Sequence, residues 1–212
     1  MLPSWVSSCE IDGYTIFLDI KQNRYTALKS DFGRALLTGD YARLPQRVLD
    51  QIASLGWQRE DKHNFARVQI EMPTIELSST APNPTTVNVL VASAFICQIM
   101  TRCRLGTRRF EHVLRSVSGA NDRASMRHKR ASIEEVVHAT DVMERLTLGP
   151  NACLIKSLTL HRLLSRHGHA STLVFAVRLN PFGAHCWLQR DNVVLNDTIE
   201  RVGMFTPLLA VG

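Results

Sequence analysis

The chain has 212 residues, 45% apolar and 21% charged, with a net charge of +6. These proportions exclude a disordered chain, a collagen-like or coiled-coil rod and a disulfide-dense miniprotein, and leave ample chain for a buried core. The opening, MLPSWVSSCEIDG, lacks the basic and apolar regions of a secretory signal, so a cytoplasmic protein is expected.

Trp5 to Ile11, Tyr14 to Asp19 and Arg24 to Leu28 read as three short strands, the last two flanking a turn at Lys21-Gln22-Asn23. Ser30 offers an N-cap, with Phe32, Leu36 and Leu37 following at helical spacing. A second helix begins after Pro45; Val48, Ile52 and Leu55 share one face and Gly56 ends it. Residues 72–86 hold three prolines and no clear period, which marks a linker and places a domain boundary between 1–80 and 81–212. Helices are then predicted over Thr85 to Cys103 and Thr107 to Val117. The apolar run from Val87 to Met100 is broken by Asn88, Ser93 and Gln98, short of the roughly 20 residues of a membrane span. Ser118 to Arg130 reads as a mobile polar loop. Ser132 and Glu135 form a capping box ahead of a helix carrying Val136, Val137, Val142 and Leu146.

The charge is concentrated. Residues 102–130 hold nine basic side chains and only Glu111 and Asp122 as acids, a net +7 on a chain that is otherwise near neutral. Such a segment attracts phosphate, nucleic acid or acidic peptide, although a solvated face is the ordinary reading.

The chemistry lies in the last third. Gly149-Pro150 breaks the chain, Asn151 can cap, and Ala152 to His167 reads as a helix ended by Gly168. Cys153 therefore sits in a first helical turn, where free N–H groups and the macrodipole stabilise a thiolate. It shares an inward stripe with Ser157, Leu160 and Leu164. Strands follow at 171–179, 184–189 and 193–197. A helix-start cysteine followed by strands bearing a histidine and an acid is the layout of a papain-like or transglutaminase-like thiol enzyme.

The hairpin register selects the residue behind His185. A three-residue loop, Arg190-Asp191-Asn192, sets Asp197 opposite His185; a two-residue turn, Asp191-Asn192, moves Asn196 to that face instead. The triad is Cys-His-Asp in the first case and Cys-His-Asn in the second. Cys186, next to His185, points to the opposite face and reads as packing, and Trp187 shares the His185 face. His161, His167 and His169 lack partners at ligand spacing and read as surface or satisfied side chains. The five cysteines are odd in number and form no CxxC pair, so neither a metal site nor a disulfide framework is expected. The backbone N–H of Cys153 is a candidate oxyanion donor.

Cys153-Leu154-Ile155-Lys156-Ser157-Leu158, Leu163-Leu164, Val177-Arg178, Pro181-Phe182, Ala184-His185, Trp187 and Leu195-Asn196-Asp197, in this order, resemble the lasso peptide B protein, the transglutaminase-like leader peptidase of lasso peptide biosynthesis. The resemblance implies Cys153, His185 and Asp197 as the catalytic triad, which favours the three-residue-loop register. Asp19, Tyr25, Leu28, the helix from Phe32 and Leu55-Gly56-Trp57 resemble a RiPP recognition element, a winged-helix-like module that binds leader peptides. The usual middle helix looks short or missing around Gly39 to Leu44.

The resemblance implies an α+β protein with that module at 1–80 and a papain/transglutaminase-like cysteine peptidase at 81–212. By this analogy the leader adds as a strand along Arg24, Tyr25, Thr26, Ala27 and Leu28 and packs on the next helix at Val48, Gln51 and Ile52. The implied partners are a lasso precursor peptide and an asparagine-synthetase-like C protein that closes the macrolactam. Nucleic acid and cofactors are not implied. The basic segment would then hold an acidic leader or the C protein. Two other functions fit the same residues: a leader-binding scaffold with an inert catalytic domain, and a transglutaminase or acyltransferase using the same triad.

Overall fold

The computed structural model describes residues 2–57, 69–77, 84–147 and 152–212, with backbone alone for 84–86. The expected boundary at 80/81 lies outside the described residues. The chain opens with a three-stranded antiparallel meander, β1 (Val6–Ile11), β2 (Tyr14–Asp19) and β3 (Arg24–Lys29). Asp12 and Gly13 join the first two strands, both at positive φ (47° and 78°), as a tight two-residue hairpin turn requires. The central strand buries Ile16, Phe17 and Leu18. Asp19 is also buried, and accepts hydrogen bonds from Trp57 Nε1 at 2.8 Å and Gln22 N at 2.9 Å. A carboxylate there is tolerated because its oxygens have donors.

Two helices follow, α1 (Ser30–Thr38) and α2 (Gln46–Leu55), joined through a 3₁₀ turn at Tyr41–Arg43. The expected Ser30 cap is not made: Lys29 occupies the N-cap position and no side chain caps the helix. Gly39 and Gly56 end the helices in the left-handed region.

The second sheet has the order β4-β7-β6-β5-β8, with β4 (Ile75–Glu76), β5 (Thr172–Arg178), β6 (Gly183–Arg190), β7 (Val193–Val194) and β8 (Thr206–Val211). Neighbours run antiparallel except β4, which is parallel to β7. Strand β4 corrects the linker reading. Thr74 N and Ile75 N donate to Asn192 O, and Glu71 O accepts from Gln189 Nε2 at 2.8 Å. Part of the expected linker is thus stitched to the edge of the second sheet. Strand β8 carried no sequence signal that separated it from the chain end, and it pairs with β5.

Four helices lie on one side of this sheet, α3 (Pro84–Thr107), α4 (Phe110–Ser125), α5 (Ile133–Thr147) and α6 (Cys153–Arg166); α6 and α4 pack on the strands, and α3 and α5 pack on α6. The expected loop from Ser118 is instead largely helix, because α4 continues to Ser125. The capping box is present: Glu135 N donates to Ser132 Oγ, and Ser132 N to Glu135 Oε2. Helix α3 is longer than expected, and Val87–Thr107 has the length and apolar composition of a membrane-crossing helix. It packs Leu90, Ala94 and Cys97 into the core and exposes Val89, Ile96 and Ile99.

One buried cluster runs from Trp5, Phe17 and Ile52 through Ala94, Leu114 and Met143 to Leu163 and Leu188. The first sheet, the helices and the helix-facing side of the second sheet therefore share a core. A smaller cluster, including Val174, Trp187, Val202 and Ala210, covers the opposite side of the second sheet with α7 (Ile199–Val202).

Gly33 marks the closest approach of α1 to β2. A Cβ there would lie 2.0 Å from Thr15 Oγ1 and 2.3 Å from Thr15 Cβ. Gly33→Ala is expected to destabilise the fold by about 1–3 kcal/mol, measured by urea unfolding; an unchanged midpoint would contradict this packing.

Candidate active site

Cys153 is the first residue of α6, with Ala152 as a cap residue that makes no side-chain cap bond. The expected Asn151 cap lies outside the described residues. The stripe Ser157, Leu160 and Leu164 is fully buried, as its spacing predicts. Ser157 Oγ donates to Cys186 O at 3.3 Å and accepts from Asn196 Nδ2 at 2.9 Å. Asn196 Oδ1 in turn accepts from Leu188 N at 2.7 Å. These bonds fix the start of α6 against β6.

The hairpin register is the two-residue one: Gln189 pairs with Val194 and Arg190 with Val193, with Asp191 at φ 54° in the turn. This overturns the three-residue loop that the resemblance favoured. Asp197 nevertheless meets His185, its Oδ2 lying 2.5 Å from Nε2. The expected strand 193–197 ends at Val194, so face alternation does not govern Asn196 or Asp197. Asn196 turns its amide into the ladder at Leu188, and Asp197 comes round to the imidazole. Thr198 N donates to the other oxygen, Oδ1, at 2.9 Å, and Arg201 Nε lies 3.9 Å from it.

Cys153, His185 and Asp197 line one small cleft of about 60 Å³, together with Lys156, Cys186, Asn196 and Arg201. The Cys153 sulfur is hydrogen-bonded to both Cys186 and His185. With Nε2 held by the carboxylate, Nδ1 is the ring atom left for the sulfur. The imidazole packs on Phe205 (centroids 5.0 Å apart) and Trp187 (6.2 Å), which keep water from its faces. Phe205 follows α7, and the sequence pattern did not point to it.

The electrostatics favour a charged pair. The Cys186 thiol, donating to Cys153, is the largest influence holding the Cys153 pKa down to about 4; burial opposes it and the His185 bond adds to it. Burial pulls His185 down, but the Asp197 hydrogen bond and then Cys153 override it and raise the imidazole to about 9. Asp197 stays below the usual carboxylate range: burial works against this, and the His185 bond prevails. Cys186 is pushed well upward, first by its bond to Cys153 and then by burial, so it remains a protonated donor. Cys186 packs in the main core, as expected, and in addition acts on the Cys153 sulfur. Alternation separates it from the His185 face, but does not limit what a third residue touches.

The residues expected to bind peptide divide sharply. Arg24 and Ala27 on β3 are exposed, Tyr25 and Thr26 half-buried, and Gln51 on α2 exposed. Leu28, Val48 and Ile52 are buried in the core at 7%, 5% and 3% exposure, so their side chains are not available to a peptide. The apolar face that defines α2 is the face it buries. Tyr25, half-buried, lies within electrostatic range of the two site cysteines. Its ring packs edge-on against Phe182 (5.9 Å), and its hydroxyl is pushed up to about 12 by burial and then by Cys186 and Cys153. Asn23, in the β2–β3 turn, lines a second opening of about 340 Å³ beside Cys153 with Leu105, Phe110 and Leu154.

His161 and His169 are buried rather than on the surface. His161 Nδ1 lies 3.0 Å from Ser171 Oγ and His169 Nε2 2.7 Å from Ala131 O. Among the described residues, no three His, Cys, Asp or Glu side chains gather as metal ligands.

Residues 97–210 match the Transglutaminase-like superfamily, more than half of the chain. The chain belongs to that superfamily. The match spans α4, α5, α6 and β5 to β8 and includes Cys153, His185 and Asp197. No curated protein and no solved structure matches the chain. A C-terminal transglutaminase-like domain of this kind is consistent with cysteine-peptidase or acyl-transfer chemistry.

A thiolate forms as pH rises through about 4, and the imidazolium survives until about 9. Alkylation of Cys153 by iodoacetamide is expected to be flat between these limits and to fall away below the lower one. Cys186→Ala should move that lower inflection upward by roughly one to two pH units, the worth of a hydrogen bond to a charged group. Mass spectrometry of the labelled peptide reads both; an inflection near that of free cysteine in the parent protein would contradict the assignment.

Proposed function

We propose that the protein is a leader peptidase of the lasso peptide B type, with a leader-binding N-terminal part acting on the same chain. The observation that carries the peptidase reading is the pairing of Cys153, lowered to about 4, with a His185 raised to about 9 that Asp197 holds through Nε2. An inert scaffold has no need of three partly desolvated charges that stabilise one another, and each is costly to desolvate alone.

The mechanism follows from the geometry. The Cys153 thiolate attacks the scissile carbonyl carbon, and the backbone N–H of Cys153, at a helix N-terminus, receives the developing oxyanion. His185 delivers its Nδ1 proton to the leaving nitrogen as the C–N bond breaks, leaving a thioester on Cys153. His185 then takes a proton from water, whose oxygen attacks the thioester, and keeps it as the imidazolium while Cys153 leaves as the thiolate, which restores the resting ion pair. Asp197 fixes the ring orientation and stabilises the imidazolium throughout. The products are a free leader carboxylate and a core peptide with a new α-amine. In the proposed setting, the cytoplasm, that amine passes to an asparagine-synthetase-like C protein for macrolactam closure. Acyl transfer would use the same thioester, with an amine replacing water.

The N-terminal part supports the leader-binding half of the reading. Strand β3 pairs only with β2 among the described residues, so its outer edge has free backbone groups to pair with an extended peptide. Given the buried side chains noted above, contacts fall to the β3 backbone, Arg24, Thr26, Ala27 and Gln51. Holding the leader there raises the effective concentration of the junction at the cleft, so a shallow cleft suffices.

The test is incubation with the cognate precursor, read by mass spectrometry. The parent protein should yield separate leader and core, with water added across one bond. Cys153→Ala should abolish cleavage while leader affinity, by fluorescence anisotropy, changes by less than about twofold. Asp197→Asn should lower kcat by about 10²–10⁴-fold. A new amide or ester product would replace the peptidase reading with acyl transfer, and undiminished cleavage by Cys153→Ala would remove the thiol mechanism.

A further inference from the structure

Two to three turns along α6 from Cys153, the helix meets α3 and α4 around a further pocket of about 210 Å³. Five arginines line it: Arg104 from α3, Arg123 from α4, Arg127 just beyond α4, and Arg162 and Arg166 from α6. No aspartate or glutamate lines it. Among the described residues, none of the five makes an ion pair with a carboxylate; the ion pairs of the helical layer are Arg115–Glu111 and Lys156–Glu144. Arg166 points its guanidinium at sulfur, with Nη1 3.2 Å from Cys97 Sγ and Nη2 3.9 Å from Met100 Sδ, both weak acceptors. Arg162 Nε is buried without a hydrogen-bond partner. A buried donor without a protein partner is available to a ligand oxygen. Burial first, then the charges of Arg104 and Arg166, hold Arg162 below the usual guanidinium range, as expected where like charges crowd.

The backbone fixes the pocket as firmly as the helices do. Gly168, at φ 84°, brings the end of α6 so close to the segment after α4 that a Cβ would lie 3.0 Å from Arg127 O. Arg127 is thereby held at the pocket's rim. Four of the five come from α3, α4 and α6 and Arg127 from the segment just after α4, and all line one concavity.

We infer that this pocket binds a compact multivalent phosphate anion, of the size and charge of pyrophosphate or a phosphate ester. Guanidinium groups match phosphate oxygens bidentately, and several around one small volume suit a ligand with more than one negative charge. The volume is too small for a folded partner or a stretch of peptide. The inference assigns part of the +7 segment a different role from the leader or C-protein contact expected from sequence. Arg108 and Arg109 are exposed and outside the pocket. It does not depend on the peptidase reading.

The experiment is calorimetric titration of the full chain with inorganic pyrophosphate at constant ionic strength, beside citrate as a polycarboxylate of similar charge. Saturable one-to-one binding of pyrophosphate, at least about tenfold tighter than citrate, is expected. Arg123→Gln with Arg127→Gln, both at exposed positions, should weaken it about tenfold or more. Arg108→Gln with Arg109→Gln removes the same charge outside the pocket and should leave the affinity within about twofold. Circular dichroism melting confirms that both double variants are folded; if the first pair is not, Arg123→Lys with Arg127→Lys, which keeps charge but loses the bidentate fork, replaces it and should also weaken binding. Absence of saturable binding, equal affinity for citrate, or an equal loss in the Arg108/Arg109 variant would each overturn the assignment.

Discussion

Ser157 is fully buried, and its hydroxyl joins two parts of the chain that the sequence separates widely: it gives its hydrogen to the Cys186 carbonyl and receives one from the Asn196 amide. The geometry at the sulfur depends on this bridge. It lies one helical turn after Cys153, so it sets the start of α6 over β6. It also holds Asn196, the residue just before Asp197, as the chain leaves β7. An uncompensated polar atom in such a place would cost about 1–3 kcal/mol, so the network also penalises any slip of helix against strand. The positions of Cys153 and Asp197 are thereby tied to the same strand that carries His185.

Once positioned, the three groups hold one another's charges. Burial opposes the thiolate, the imidazolium and the carboxylate alike. Each remains charged because its neighbour has the opposite sign or donates a hydrogen bond, as an ion pair in poor solvent requires. Cys186 adds something the triad does not contain: a neutral, buried donor to the sulfur, supplied by the residue adjacent to His185 in sequence. Its own ionisation is suppressed by the neighbouring thiolate, so the site holds two sulfurs but develops one anion.

Local chemistry made much of this legible in advance. The N-terminal hairpins, the Ser132 capping box, the inward stripe of α6 and the strands around His185 follow from turn residues and periodicity alone. Long-range pairing was the part that did not. Ile75 and Glu76 become a strand only because β7 offers an edge, and nothing in their own composition announces it. The register argument erred for a related reason. It assumed a strand through Asp197, whereas a side-chain amide takes over from the backbone at Asn196 and ends the ladder. The carboxylate reached the imidazole through that break rather than through alternation. Likewise, Val48 and Ile52 were read correctly as one face of a helix, but burial excludes an apolar face from a peptide-binding role once it supplies the core.

The approach of the first sheet to the thiol constrains how a leader can lie under the proposed reading. The β2–β3 turn, at Asn23, is the end of β3 that lines the opening beside Cys153, and Tyr25 lies within electrostatic range of the two cysteines. Strand β3 runs from Arg24, near the site, to Lys29, about 16–17 Å away at the usual strand rise. A leader paired along this edge must present its C-terminal end at Arg24, because the bond to be cut follows the leader. It therefore runs antiparallel to β3, the orientation with the stronger ladder. Antiparallel addition at this edge and cleavage at Cys153 are thus geometrically one requirement: a parallel leader would carry its junction to Lys29, away from the sulfur.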